Sequence, residues 1–284
     1  MAVESGADSA AQPRILPPPH GRTQLPLGGR KILGRYRVVA YYGAPGGGQL
    51  GVLGATRPEQ AAQAIEQRAR GFRGYGLRVQ PAMELIATVA QAAPGPDGDY
   101  SAPIPHSVIR HYLRVAHRHK MLLLLDLQPG RASFLSQAEA LRPLLLDPSV
   151  DLALDSEWKV GPQGRPGGGH IGSCRARGIN VVARYLAGLV RAHRLPDKLL
   201  VVHEFTASML PDRSNIRPAR GVEVVFHADG FGSPAVKKGV YRRLRFPGRP
   251  FGAGFKLFLT QDSRLMPPRA VMRLRPRPDV ITYQ

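Results

Sequence analysis

Cysteine occurs once, at Cys174, so the chain forms no internal disulfide and builds no cysteine-based zinc site. A nucleophilic role for that thiol needs a histidine brought from elsewhere in the fold, and a buried thiol without chemistry is the simpler reading. Tryptophan also occurs once, at Trp158. No apolar run approaches the roughly 18 residues of a membrane span, and the longest, MLLLLDLQ, contains Asp126. A transmembrane segment is therefore not expected.

Acidic residues are scarce too: 20 against 40 basic ones, a formal charge of +20 over 284 residues. Such an excess attracts polyanions, whether nucleic acid, anionic cell-wall polymer or a membrane surface. The basic residues are spread along the chain and rise together with Ala, Gly and Pro. Their local clusters, KKGVYRRLRFPGR and RLRPRP, lack the interleaved aromatic rings that stack bases. Nucleic acid is disfavoured as principal ligand, and an anionic cell-wall polymer suits the basic surface better. No cofactor is expected.

The amino terminus lacks the basic-then-apolar layout of a signal peptide, so the sequence taken as it stands implies a cytoplasmic protein. Residues 1–35, rich in Pro and Gly, read as a disordered arm or linker preceding a single domain at 36–284.

From residue 36 onward, short apolar runs ending in polar residues alternate with helical stretches. The strands are expected at 36–43, 83–90, 121–128, 150–158, 198–205, 222–229, 254–262 and 279–284. Helical patterns occupy RPEQAAQAIEQRARGFRG, IPHSVIRHYLRVAHRHK, SFLSQAEALRPLLL, INVVARYLAGLVRAHR, PAVKKGVYRRLR and SRLMPPRAVMRL, whereas TASMLPDRSNIRPAR is irregular. Near-continuous apolar strands alternating with helices define an α/β protein with a parallel sheet covered on both faces. Eight units over about 250 residues match a (β/α)8 TIM-like barrel, its last helix missing or replaced by the amino-terminal arm. An open doubly wound sheet is the alternative, but GAPGGG after the first strand lacks the phosphate-binding glycine spacing.

Chemistry in such barrels sits at the carboxyl ends of the strands. Those ends carry Tyr41 and Tyr42; Asp126 and Gln128; Asp155, Glu157 and Trp158; His203 and Glu204; His227 and Asp229; Gln261 and Asp262; Tyr283 and Gln284. Solvated strand ends would equally favour Lys, Ser and Thr. Carboxylates, imidazoles, amides and aromatic rings together suit a polysaccharide, since carboxylates and amides bind hydroxyls while ring faces stack on sugar C–H surfaces. Asp155 and Glu157, two residues apart on a strand, are expected to share a face. Buried side by side, they would raise one another's pKa and keep a proton available.

The motif D-x-E in LALDSEW resembles that of the chitinase-like (family 18) glycosidases and the family 25 muramidases. The resemblance implies Glu157 as the acid that protonates the glycosidic oxygen and Asp155 as partner of the attacking acetamido group. Over the whole chain, AYYG, LLLLDLQPGR, DLALDSEWKV, VVHEF, FHADGFG, GFKLFL and RPDVITYQ resemble, in this order, an uncharacterised bacterial family of glycoside-hydrolase-like barrels, often exported or lipid-anchored. That likeness implies an extracytoplasmic location.

Other uses of these residues are open. A retaining glycosidase would pair Glu157 with Asp262 as nucleophile, the carboxyls about 5–5.5 Å apart. A carbohydrate-binding barrel without catalysis would use the same lining. A metal-dependent hydrolase would gather Asp126, His203, His227 and Asp229 on a divalent ion, although the first strand has no His-x-His pair. The Gly-rich turn at 161–173, containing His170, is a candidate lid.

Overall fold

The first strand, YRVVAYYG, buries all eight of its residues, as a strand covered on both faces must. The computed structural model describes residues 23–284 except 168 and 170. In chain order the elements are β1 (Tyr36–Gly43), α1 (Pro58–Arg70), β2 (Arg78–Ala90), β3 (Ser101–Pro103), α2 (His106–Arg118), β4 (Leu122–Leu127), α3 (Phe134–Ala140) and α4 (Arg142–Leu145). There follow β5 (Val150–Asp155), α5 (Ala176–His193), β6 (Lys198–Glu204), β7 (Val222–Ala228), α6 (Pro234–Arg243), β8 (Gly252–Leu257), α7 (Pro268–Val271) and β9 (Val280–Tyr283).

Eight strands pair in parallel, and β1 bonds both β2 and β9, so the sheet closes into an α/β barrel. Closure overturns the open-sheet alternative. The short β3 pairs antiparallel with the end of β2 and stands outside the ring. Local sequence explains the helix starts. Pro58 opens α1 at a position where its missing N–H costs nothing, and the Ser133 and Ser233 hydroxyls cap α3 and α6 by accepting from Ser136 N and Val236 N.

The helical ring is incomplete. Between β6 and β7 there are only 3-10 turns at Ala207–Met209 and Arg213–Asn215, and the pattern at 263–274 yields a four-residue α7. The expected strand at 150–158 stops at Asp155, and Ser156–Trp158 forms a 3-10 turn.

Strand alternation divides the core. Val39 and Tyr41 join the layer between barrel and helices, whereas Tyr36, Val38 and Ala40 join Ala82, Leu122, Leu124, Ala153, Val201 and Val225 inside the barrel. The amino-terminal expectation is corrected here for residues 23–35; residues 1–22 lie outside the described residues. Leu25 and Ile32 are buried with the interior cluster, and the Glu223 carboxylate accepts from the Ile32 and Leu33 backbone N–H groups at 2.7 and 3.2 Å. This segment plugs the amino-terminal end of the barrel and does not take the place of a helix. Two apolar side chains at that spacing cover a barrel end that would otherwise meet water.

Candidate functional site at the barrel mouth

Above the apolar interior the inward side chains turn polar. His203 Nε2 lies 2.7 Å from Glu84 Oε1, and its Nδ1 lies 3.0 Å from Asp229 Oδ2. Lys256 Nζ donates to the same Asp229 oxygen at 3.0 Å and sits 3.5 Å over the Tyr42 ring. Tyr42 donates its hydroxyl proton to Asp126 Oδ2 at 3.0 Å and accepts from Gln128 Nε2 at 3.1 Å. The His227 ring lies 4.8 Å from that of His203, tilted by 52°, and meets Thr282 Oγ1 through Nε2 at 3.2 Å. Gly254 makes room for that ring: a Cβ there would lie 2.3 Å from His227 Cδ2.

All these groups are buried, and their charges do not cancel. Glu84, Asp126, Asp155 and Asp229 face two cationic side chains, His203 and Lys256. Against the cost of burial, Glu84 and Asp229 hold the His203 imidazolium well above its ordinary pKa, while burial and the His203 charge keep His227 neutral. Burial is likewise opposed at Asp229, where Lys256 and His203 hold the carboxylate ionised, and at Lys256, where Asp229 and Asp155 hold the ammonium charged. The surplus negative charge is met by protons. Burial and Asp155 push Asp126 far up, burial lifts Asp155 to about 6, and burial with Asp155 and Asp229 lifts Glu157 to about 7.

Over this floor opens a cavity of about 690 Å3. Asp155, Glu157, Asp229 and Lys256 line it with charge, Tyr42, Trp158, Phe205, Phe231 and Phe258 with rings, and Gln91, Gln128, Gln261 and Gln284 with amides. Its size and mixture are those of a small-ligand site. Glu157 reaches it by a route that strand alternation does not describe. The 3-10 turn is capped by Asp155, whose Oδ1 accepts from Glu157 N at 3.3 Å, and carries both Glu157 and Trp158 into the mouth.

Several expected ligand contacts lie elsewhere. Tyr41 and Tyr283 are the outward neighbours of inward-facing Tyr42 and Gln284, and their rings meet edge-on at 6.2 Å in the outer core. The same parity sends Glu204 outward from His203: burial lifts its pKa to about 7 in spite of Arg213, whose Nη1 lies 2.5 Å away. Asp262 is fully engaged, by Lys237 Nζ at 3.0 Å, Gly232 N at 3.0 Å and Phe258 N at 3.0 Å. It holds two loops together and is absent from the cavity lining, which removes it as a nucleophile. His203 and His227 belong to the floor network and do not line the cavity. His170 falls outside the described residues. Cys174 is buried, its thiol pushed up to about 11 by burial.

Two members of the network, Glu84 and Lys256, escape a reading confined to strand ends. Each is a lone charge inside an otherwise apolar strand, MELIATVA or GFKLFL, and that cost is itself the signal. Among the described residues, the side chains whose oxygen and nitrogen atoms converge within 4.8 Å are Glu84, Asp126 and His203, which share Asp126 and His203 with the four first considered for a divalent ion but not His227 or Asp229. In that set both His203 nitrogens already face carboxylate oxygens, an arrangement that holds a proton.

Comparison of the chain with protein-family models and with curated proteins returns no match.

Proposed function

We propose that the protein is a glycoside hydrolase acting on an extracellular or cell-wall polysaccharide, with Glu157 as general acid and Asp155 as its partner. The observation that carries this reading is Glu157 itself: a carboxyl lifted to about 7 in a cavity of aromatic and amide side chains. A carboxylic acid that keeps its proton near neutral pH delivers it to the glycosidic oxygen as the bond to the anomeric carbon breaks. Trp158, Phe231 and Phe258 offer faces to sugar rings, while Gln261 and Gln284 offer donors and acceptors to hydroxyls.

The fate of the anomeric carbon follows from which carboxylates are free. Asp262 is tied down and Asp229 is paired with Lys256 and His203, so neither serves as nucleophile. A substrate acetamido group oriented by ionised Asp155 fits the remaining arrangement, one of the exceptions to the two-carboxylate scheme. The same engagement of Asp262 favours a second reading, a binding barrel without turnover. Incubation with peptidoglycan, chitin oligosaccharides and neutral α- and β-glucans, with products read by mass spectrometry, separates the two. Shortened fragments establish hydrolysis and name the bond; retention of one polymer without fragments moves the protein to the binding class.

Two further outcomes are expected. The pH profile of kcat/KM falls below about 6, where Asp155 takes up a proton, and above about 7, where Glu157 loses its own. A profile flat from pH 5 to 9 would remove Glu157 from the chemistry. Trp158→Ala weakens oligosaccharide binding by about 1 kcal/mol or more, as loss of an aromatic face does, whereas Tyr41→Phe and Tyr283→Phe leave it unchanged. Calorimetric titration of the three variants reads the contrast.

A further inference from the structure

The gap in the helical ring between β6 and β7 leaves a groove on the flank of the barrel, about 790 Å3 in volume. Arg242, Arg243 and Arg245 line it, all exposed, and among the described residues no carboxylate does. The arginines that pair with carboxylates among the described residues are Arg118, Arg213 and Arg249, so these three have no acidic partner there. The wall is braced from within. Arg213, anchored on Glu204, donates to the carbonyls of Leu244 and Arg245, and Gly239 leaves space for the Arg243 guanidinium, whose Nη1 would lie 3.2 Å from a Cβ.

Phe205 lines both this groove and the mouth cavity, so the two adjoin. Their charges differ. The mouth holds Asp155, Glu157 and Asp229 with Lys256 as its one cation, whereas the charged side chains of the groove next to it are all arginines. We infer that the ligand is an anionic glycan, with a neutral ring in the mouth and a carboxylate or phosphate on the adjoining unit held by Arg242, Arg243 and Arg245. This rests on the carbohydrate reading of the mouth. Guanidinium groups suit both anions, since their paired N–H donors match carboxylate and phosphate oxygens. Nucleic acid fits less well, because Phe205 is the groove's only ring and bases need a series of them.

Trp158, the sole tryptophan, lies in the mouth and reports its occupancy by fluorescence. The full chain carrying Glu157→Gln, so that nothing is cut, is titrated with two matched pairs: hyaluronan oligosaccharide against its carboxyl-reduced form, and peptidoglycan fragments bearing a phosphodiester polymer against the same fragments stripped of it. The expected result is about tenfold tighter binding of the anionic member of one pair, as one retained charge-assisted contact provides. That gain disappears in Arg242→Ala/Arg243→Ala/Arg245→Ala and in about 0.5 M salt, while the neutral member binds as before. The pair that shows the gain names carboxylate or phosphate as the anion. The triple Arg→Gln variant, which keeps polar side chains at these positions, repeats the test if the alanine protein is poorly folded. Equal binding of both members, with the Trp158 signal intact, overturns the inference and leaves the glycosidase reading standing. Silence of Trp158 toward every glycan overturns both. A single-stranded oligonucleotide that binds the arginines as tightly as the anionic glycan overturns the inference in favour of nucleic acid.

Discussion

Glu157→Gln is expected to lower turnover by about 10²–10⁴-fold, the contribution of a positioned general acid, with little change in KM because the amide keeps the shape of the carboxyl. The same substitution stabilises the fold. Glu157 has its pKa raised from 4.5 to about 7, so the wild-type side chain costs nothing below pH 4.5, where it is protonated folded or unfolded. As pH rises the unfolded chain releases that proton first, and the folded protein loses relative stability until about pH 7. Glutamine has no proton to lose. Discounted for its partial exposure, the gain is about 1–2 kcal/mol at pH 8 and vanishes at pH 4. Urea melts at the two pH values, beside initial rates on the substrate identified by mass spectrometry, read both effects. A variant less active but no more stable at pH 8 would mean that Glu157 is solvated, and its role as acid would need another cause than burial.

Much of the barrel was legible because its strands are buried on both faces and therefore apolar along their whole length. YRVVAYYG coincides with β1, and each of the seven other runs overlaps a barrel strand; five contain it whole, whereas 83–90 covers only the end of β2 and 254–262 starts two residues inside β8. Two features were not. The amino-terminal plug depends on where Leu25 and Ile32 land, and a Pro/Gly-rich stretch with few apolar residues carries no periodicity from which to see it. The missing helix between β6 and β7 was visible only as irregular sequence, which does not say what fills the space.

At the site, strand ends marked the correct rim but not the inward face. Parity decides that face, and one reference residue suffices to set it: with Tyr42 inward, Tyr41 is outward; with His203 inward, Glu204 is outward. The alternation also fails where the strand stops. Asp155 and Glu157 meet in the mouth because a 3-10 turn brings the second round to the first, an arrangement that D-x-E spacing alone does not distinguish from a strand. The pairing of Asp262 with Lys237 was hidden for a different reason. Their separation of 25 positions is bridged only by the packing of α6 against β8 and the loop that follows it.

Lys256→Met is expected to cost about 3–5 kcal/mol at pH 8, the penalty for removing one partner of a buried ion pair and leaving the other uncompensated. Lys256 is the ammonium that the floor carboxylates share: it bonds Asp229 and lies near Asp155, Glu84 and Asp126. Its own pKa is raised above 10.5, so its contribution is complete below that value and is lost only in strong alkali. Asp229, depressed below 3.8, contributes fully above that value and loses its contribution only in strong acid. The pair is thus intact from about pH 4 to 10, and wild-type stability from this source is flat across that window. In the methionine variant the carboxylates lose their counter-charge and their pKa values climb. Protons then neutralise them more readily at pH 5 than at pH 8, so the deficit is smaller in mild acid, opposite to the pattern of acid denaturation. Lys256 also draws the pKa of Glu157 down, and its removal moves the basic limb of the rate profile above the wild-type value of about 7. Denaturation at pH 5 and 8 tests the first effect and the rate profile the second. Stability within about 1 kcal/mol of wild type at both pH values would show that water, rather than Lys256, balances the charge of the floor.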